Sequence, residues 1–109
     1  MLETVIVTFD GEYDIARKEE MRAKLEALAS VPRALLDFSR VTYMDSTAVT
    51  ELLRLHKIRA ERSLDRETIV LGGVQKLFEL LQLNKVFRLV DSMEDGLSEA
   101  EEWKELKKA

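Results

Sequence analysis

Apolar runs of strand length alternate with amphipathic segments of helix length. That alternation predicts an α/β fold: a mostly parallel or mixed sheet of about four strands with four crossover or flanking helices. Two local features agree with it. Residues 34–38 are nearly all apolar, as in a strand covered on both faces. Asp45-Ser46-Thr47 then stands between an apolar segment and a helical pattern, the kind of junction found at the carboxyl edge of such a sheet. A chain of 109 residues suits one domain, 1–109, with one core.

Residues 4–9 read as the first strand, with Val5, Val7 and Phe9 on one face and Thr4, Ile6 and Thr8 on the other. Asp10-Gly11-Glu12 is expected to end it in a turn. Met21, Leu25 and Leu28 mark a helix over about 15–29, and Ser30-Val31-Pro32 stops it, since proline disfavours helical geometry in the residue before it. The second strand, 34–38, leads through a short polar link to the Asp45-Ser46 junction. Val49, Leu52, Leu53, His56 and Ala60 mark one side of a helix reaching about residue 62.

Residues 67–71 form a third strand closed by Gly72-Gly73. Val74, Leu77, Phe78 and Leu81 fit a short helix for which Asn84 is a fitting cap, and 86–90 make a fourth strand. Ser92-Met93-Glu94-Asp95 opens a last helix over about 93–108. Its acids lie early and Lys104, Lys107 and Lys108 late, the order favoured by the helix dipole.

Composition excludes several chemistries. Cysteine is absent, which removes disulfides, thiol nucleophiles and thiolate metal sites; with one histidine, His56, multi-histidine metal sites go too. The formal net charge of −4 carries no dense basic cluster, which argues against nucleic-acid binding. No apolar run approaches the ~20 residues that cross a bilayer, and no secretion signal opens the chain. A cytoplasmic protein without membrane insertion, metal or cofactor is the expectation. Gly72-Gly73 lacks the lysine and spacing of a phosphate loop. His56 lies ten residues beyond Ser46, ~15 Å along a helix, too far to serve that hydroxyl as a base, so no enzyme is expected.

The junction itself has two readings. Asp45-Ser46-Thr47 can be a helix cap, because all three residue types favour that place. It is also a hydroxyl at a helix N-terminus, where free backbone N–H groups tolerate a negative charge, so Ser46 is placed to receive a phosphate. Asp14 can likewise cap the first helix.

The run from Asp37 through Val41, Met44, Asp45, Ser46 and Thr47 resembles the core of the STAS domain, the fold of bacterial anti-sigma factor antagonists. Gly11-Glu12-Tyr13-Asp14 resembles that family's turn after the first strand, and residues 74–90, including Leu77-Phe78 and Val86-Phe87, resemble its late helix and final strand. The resemblance implies a protein-binding switch. The unphosphorylated antagonist binds an anti-sigma factor that is also a serine kinase, releasing the sigma factor. The kinase phosphorylates the serine matched by Ser46, and a serine phosphatase would reverse it. Asp14 matches a family acid used in partner recognition, and Asp45, Thr47 and Ala48 fall on the same partner-binding surface.

Departures from the pattern are visible. Ala48 replaces the motif glycine, Thr50 replaces a second small residue, and the Ser-Pro pair before the late helix is missing. There is no room before residue 4 for the extra strand many relatives carry, which would leave a sheet edge for pairing as a homodimer. The same fold also serves as a constitutive structural subunit of lipid-transport or stressosome-type complexes, and that is the alternative expectation.

Overall fold

The computed structural model describes residues 4–97. Four parallel strands form one sheet in the order β1-β2-β3-β4: β1 is Thr4–Tyr13, β2 Arg33–Met44, β3 Thr68–Val70 and β4 Arg88–Val90. Helices α1 (Lys18–Glu26), α2 (Ser46–Glu61) and α3 (Gln75–Leu80) make the crossovers. A fourth helix opens over residues 93–97, and the rest of the expected 93–108 segment lies outside the described residues. The α/β class and the four-stranded sheet stand as the sequence implied, and of the mostly parallel or mixed arrangements expected every observed pair is parallel.

The sheet has a large apolar face and a smaller one. Ala34, Leu36, Phe38 and Ile69 point toward Met21 and Leu25 of α1, Leu52 and Leu55 of α2, and Phe78 of α3. Leu35, Val70 and Val90 point the other way, where Met93 packs and Gly96 comes so close that a Cβ there would lie 3.1 Å from Leu35 Cδ1. Alternation along β2 therefore feeds both faces, which explains its nearly all-apolar run, Asp37 aside.

Both long strands overrun the expected boundaries. Asp10-Gly11-Glu12 does not turn, because β1 continues to Tyr13 through register shifts between Thr8 and Asp10 and between Gly11 and Glu12. Gly11 sits at φ +74°, a conformation that glycine adopts without strain. The expected polar link after Phe38 is strand as well. Asp10 pairs with Arg40, Gly11 with Val41, Glu12 with Tyr43 and Tyr13 with Met44. Its polar residues Ser39, Arg40 and Thr42 are exposed while Val41 and Met44 are buried. The β1–β2 pair thus projects past β3, which pairs only with Leu35, Leu36 and Asp37.

The other differences are local. The first helix begins as a 3-10 turn, Ile15–Arg17, and turns α-helical only at Lys18. Asn84 is not the cap of α3: the left-handed residue is Gln82 at φ 54°, and Asn84 lies in the 3-10 turn Leu83–Lys85. On α2, Leu53 and Ala60 are exposed, whereas Leu55 and Arg59 face the core. Gly72 has no room for a side chain, since a Cβ would lie 2.5 Å from the backbone oxygen of Ser39. That approach seats the turn after β3 against the overhanging part of β2.

Two ion pairs tie the helices down. Arg59 is buried and its guanidinium donates to four loop carbonyls: Nη1 to Leu28 (2.7 Å) and Val31 (2.6 Å), Nη2 to Pro32 (3.3 Å) and Asp65 (3.0 Å). Its Nε lies 3.8 Å from Oε1 of buried Glu67, near enough for charge attraction but too far for a hydrogen bond. Burial pulls this guanidinium below its ordinary pKa, and Glu67 opposes that pull. His56 Nδ1 bonds Glu67 at 3.0 Å, and its ring meets Phe87 edge-on, so the lone histidine is held in packing. On the other side of α2, Glu51, 4% exposed, takes a forked bond from Arg22 of α1 at 2.6 and 3.1 Å.

Arg59→Leu should cost about 3–5 kcal/mol in urea unfolding, because it removes a cation beside buried Glu67, leaving His56 to hold that carboxylate, and leaves four carbonyls without their donor; a loss below ~1 kcal/mol would contradict this account. The Arg22 bond holds the Glu51 carboxyl below its usual range. Its contribution is therefore full above the unfolded carboxylate pKa of about 4.3 and is lost as pH falls through the lower folded value. Unfolding followed from neutral to acid pH should find Glu51→Gln less stable at neutrality and less acid-sensitive. Parallel curves for the two proteins would refute the assignment.

Candidate functional site

The overhanging ends of β1 and β2 carry the candidate site. Tyr13 and Met44 are register partners, so the residues after them, Asp14 and Asp45, leave the sheet side by side. The Asp45 amide donates to the Tyr13 carbonyl at 3.1 Å, which ties the start of α2 to the end of β1. Asp45 then caps α2: its Oδ1 accepts from the Ala48 amide at 3.1 Å, and its carbonyl accepts the first helical bond, from Val49, at 3.2 Å.

Ser46 follows as the first residue of α2 and is exposed. The amides of Ser46 and Thr47 precede the intrahelical ladder and stay available at the positive end of the helix. Thr50, one turn on, donates its hydroxyl to the Ser46 carbonyl at 2.8 Å. Thr47 is half-buried. Ala48 belongs to the core at 3% exposure, so this surface does not present its methyl group, and its amide is taken by Asp45.

Asp14 is held from the other side. Its Oδ1 accepts from the Ala16 amide at 2.9 Å, capping the 3-10 turn. Ile15, beside it, is 73% exposed. Arg17, which the sequence reading passed over, organises this loop. It donates to the Asp10 and Glu12 carbonyls at 2.6 and 3.2 Å, bonds the Tyr13 hydroxyl at 3.2 Å, stacks 4.0 Å over the Tyr13 ring and pairs with Glu20. That pairing holds the Glu20 carboxyl below its usual range, while burial pushes the Tyr13 phenol up. Lys24 covers the Thr8 carbonyl at 2.7 Å. Several carbonyls of this edge strand are therefore satisfied by cations of the same domain. A short run of polar and charged residues gave no hint of Arg17's role, because it depends on the bulge at Gly11.

The site thus brings together an exposed hydroxyl, two capping carboxylates and an exposed isoleucine. His56 is engaged with Glu67 and Phe87 and supplies no base here. Among the described residues no group of three His, Cys, Asp or Glu side chains converges as a metal site, and no helix is long and apolar enough to cross a membrane. The arrangement suits recognition and modification.

Comparison with known proteins places the geometry. The family model described as "Mlab, STAS domain" matches residues 2–91. The chain belongs to this STAS-domain family. Among solved structures, the anti-sigma factor antagonist SpoIIAA in its unphosphorylated form is 21% identical with a TM-score of 0.70, covering 92% of this chain and 90% of that one. The Bacillus cell fate determinant SpoIIAA in its phosphorylated form matches at TM-score 0.63 and 21% identity, over 92% and 93% of the two chains. An anti-sigma factor antagonist from Mycobacterium paratuberculosis matches at 0.75 and 20% identity, over 87% and 83%. A sulfate transporter family protein from Wolinella succinogenes matches at 0.78 and 14% identity, over 96% and 92%. At these identities the likeness is one of fold.

Removing the cap tests the local geometry. Asp45→Ala should lower stability by ~1 kcal/mol, by leaving the Ala48 amide without its acceptor, and Asp45→Asn should recover most of it. Equal stability of Asp45→Ala and the unaltered protein in thermal unfolding would mean that the cap is not formed.

Proposed function

We propose that this STAS domain is a phosphorylation-switched binding protein, an antagonist of an anti-sigma factor that is also a serine kinase, and that Ser46 is the switch. The supporting observation is that Ser46 is exposed at the first position of α2. Unmodified, the surface of Ser46, Thr47, Asp14 and Asp45 docks on the kinase and frees the sigma factor. Phosphorylation adds about −1.5 to −2 charges at pH 7. The unused helix amides offset part of that charge, so the fold persists. The docked partner instead meets a hydrated dianion beside two carboxylates. A cost of about 3 kcal/mol weakens binding roughly a hundredfold, which is enough to release a partner. A serine phosphatase resets the switch. The whole chain, 1–109, acts as one such domain in the cytoplasm and does no chemistry of its own.

The solved phosphorylated and unphosphorylated forms of SpoIIAA support the reading, since a protein of this fold exists in both states. A second reading is a constitutive subunit of a lipid-transport or stressosome-type assembly with Ser46 never modified. The family's description as "Mlab, STAS domain" and the likeness to a sulfate transporter family protein favour it.

Incubation with ATP and a purified anti-sigma factor serine kinase, followed by intact-mass measurement, separates the two. The switch predicts one added phosphate on the unaltered protein and none on Ser46→Ala. It also predicts that Ser46→Asp folds normally yet binds the kinase about a hundredfold more weakly. No mass increase, or full affinity in Ser46→Asp, supports the constitutive subunit.

A further inference from the structure

We propose that the open edge of β1 over residues 4–8 is a self-association surface, where two copies of this chain join their sheets by antiparallel pairing. This contact is independent of the Ser46 switch.

β1 is an outer strand of the sheet, with β2 on one side and no strand on the other among the described residues. The carbonyls that turn away from β2 are marked by what binds them. Lys24 takes the Thr8 carbonyl at 2.7 Å, and Arg17 takes those of Asp10 and Glu12 at 2.6 and 3.2 Å. The Asp10 amide is occupied too, by the Tyr13 hydroxyl at 3.4 Å. Backbone groups alternate in direction along a strand, so Thr4 and Ile6 turn the same way as Thr8. Among the described residues, no side chain or loop amide bonds the outward groups of Thr4 and Ile6. The C-terminal half of this edge is thus closed by groups of its own domain, and the N-terminal half is open.

The open segment is complementary to itself. Thr4-Val5-Ile6-Val7-Thr8 reads the same in both directions. Laid antiparallel on a second copy with Ile6 at the two-fold axis, it sets isoleucine against isoleucine, valine against valine and threonine against threonine. The two Ile6 residues exchange both backbone bonds, and Thr4 of each copy faces Thr8 of the other. Pairs of β-branched residues suit such a ladder, and the segment carries no charge to repel its copy. Ile6 is 42% exposed and stands in register with Leu35, on the face where Leu35, Val70 and Val90 are buried. Pairing covers it. Thr8 brings a free amide, and its carbonyl has a second lone pair beside the one Lys24 uses. The two Lys24-bound carbonyls lie ~14 Å apart along the joined strands, beyond the ~8 Å screening length at physiological salt.

A segment this short buries too little surface for a permanent dimer, so association is weak and concentration-dependent. It also stops at two copies. Pairing consumes the β1 edge, and the opposite edge strand, β4, is only three residues long. Antiparallel pairing points the two β1 strands apart, which puts the two Ser46 rims at opposite ends of the joined sheet and leaves both open.

Sedimentation velocity of the full chain, from about 10 µM to about 1 mM, reads the association. The unaltered protein should move from monomer toward dimer across that range. Ile6→Lys and Ile6→Glu each set like charges across the two-fold axis and should weaken the dimer about tenfold or more. An equal mixture of the two should recover it, since lysine then faces glutamate. Lys24→Ala, which frees the Thr8 carbonyl, should associate at least as tightly as the unaltered protein. Circular dichroism confirms that each variant folds. A protein monomeric up to ~1 mM, or a dimer untouched by Ile6→Lys, overturns the proposal. So does a mixture that associates no better than its components, or a weaker dimer in Lys24→Ala.

Discussion

One aspartate joins the sheet to the helix that carries the site. The amide of Asp45 donates to Tyr13 on β1 and its carboxylate accepts from Ala48 on α2. The first bond fixes where β2 ends relative to β1, and the second fixes where α2 begins. Between them Ser46 has nowhere to go but the rim, two residues past Met44 at the end of β2, where it is exposed. If β2 ended at Phe38, the serine would sit at the end of a loose connection; the overhang to Met44 carries it on rigid backbone instead.

The two faces of α2 do different work. Its inner face is anchored by packing and by groups that cannot move cheaply: Leu52 and Leu55 in the core, Glu51 forked to Arg22, and Arg59 reaching the α1–β2 and α2–β3 connections. Among the described residues, the contacts of Ser46, Thr50 and Arg54 on its outer face stay within α2 itself. Charge can therefore change at Ser46 without touching what stabilises the fold, a requirement for any switch that releases a partner but leaves the protein intact. The Arg17 network does the same for Asp14, fixing the neighbouring loop through the carbonyls of Asp10 and Glu12.

Much of this was legible in the residues. Alternating segments gave the α/β fold with a mostly parallel or mixed sheet, and the nearly all-apolar run at 34–38 foretold a strand covered on both sides. Asp45-Ser46 marked the start of α2 because capping chemistry is local. Strand ends were not legible. Ser39, Arg40 and Thr42 look like a linker by polarity, yet they pair with β1 where β3 no longer runs alongside, and solvent takes one side. Asp10-Gly11-Glu12 looks like a turn for the reason that makes it a bulge: glycine permits positive φ in either. Arg59 was missed because an arginine on a helix is usually solvated. Its place seven and four residues along from Leu52 and Leu55, on the same helix face, was the available signal, and its role depends on carbonyls about thirty residues away.

The claim on which the functional account turns is that the domain accepts a phosphate at Ser46 as it stands. Amide NMR spectra of the unmodified protein and of protein carrying phosphoserine at position 46, made by peptide ligation, address it directly. The account predicts shifts confined to residues near 46–50 and 14–15, with the Asp45 and Ala48 amides still protected from exchange. Loss of protection at Asp45, or shifts spreading into Leu52, Leu55 and Phe38, would contradict it.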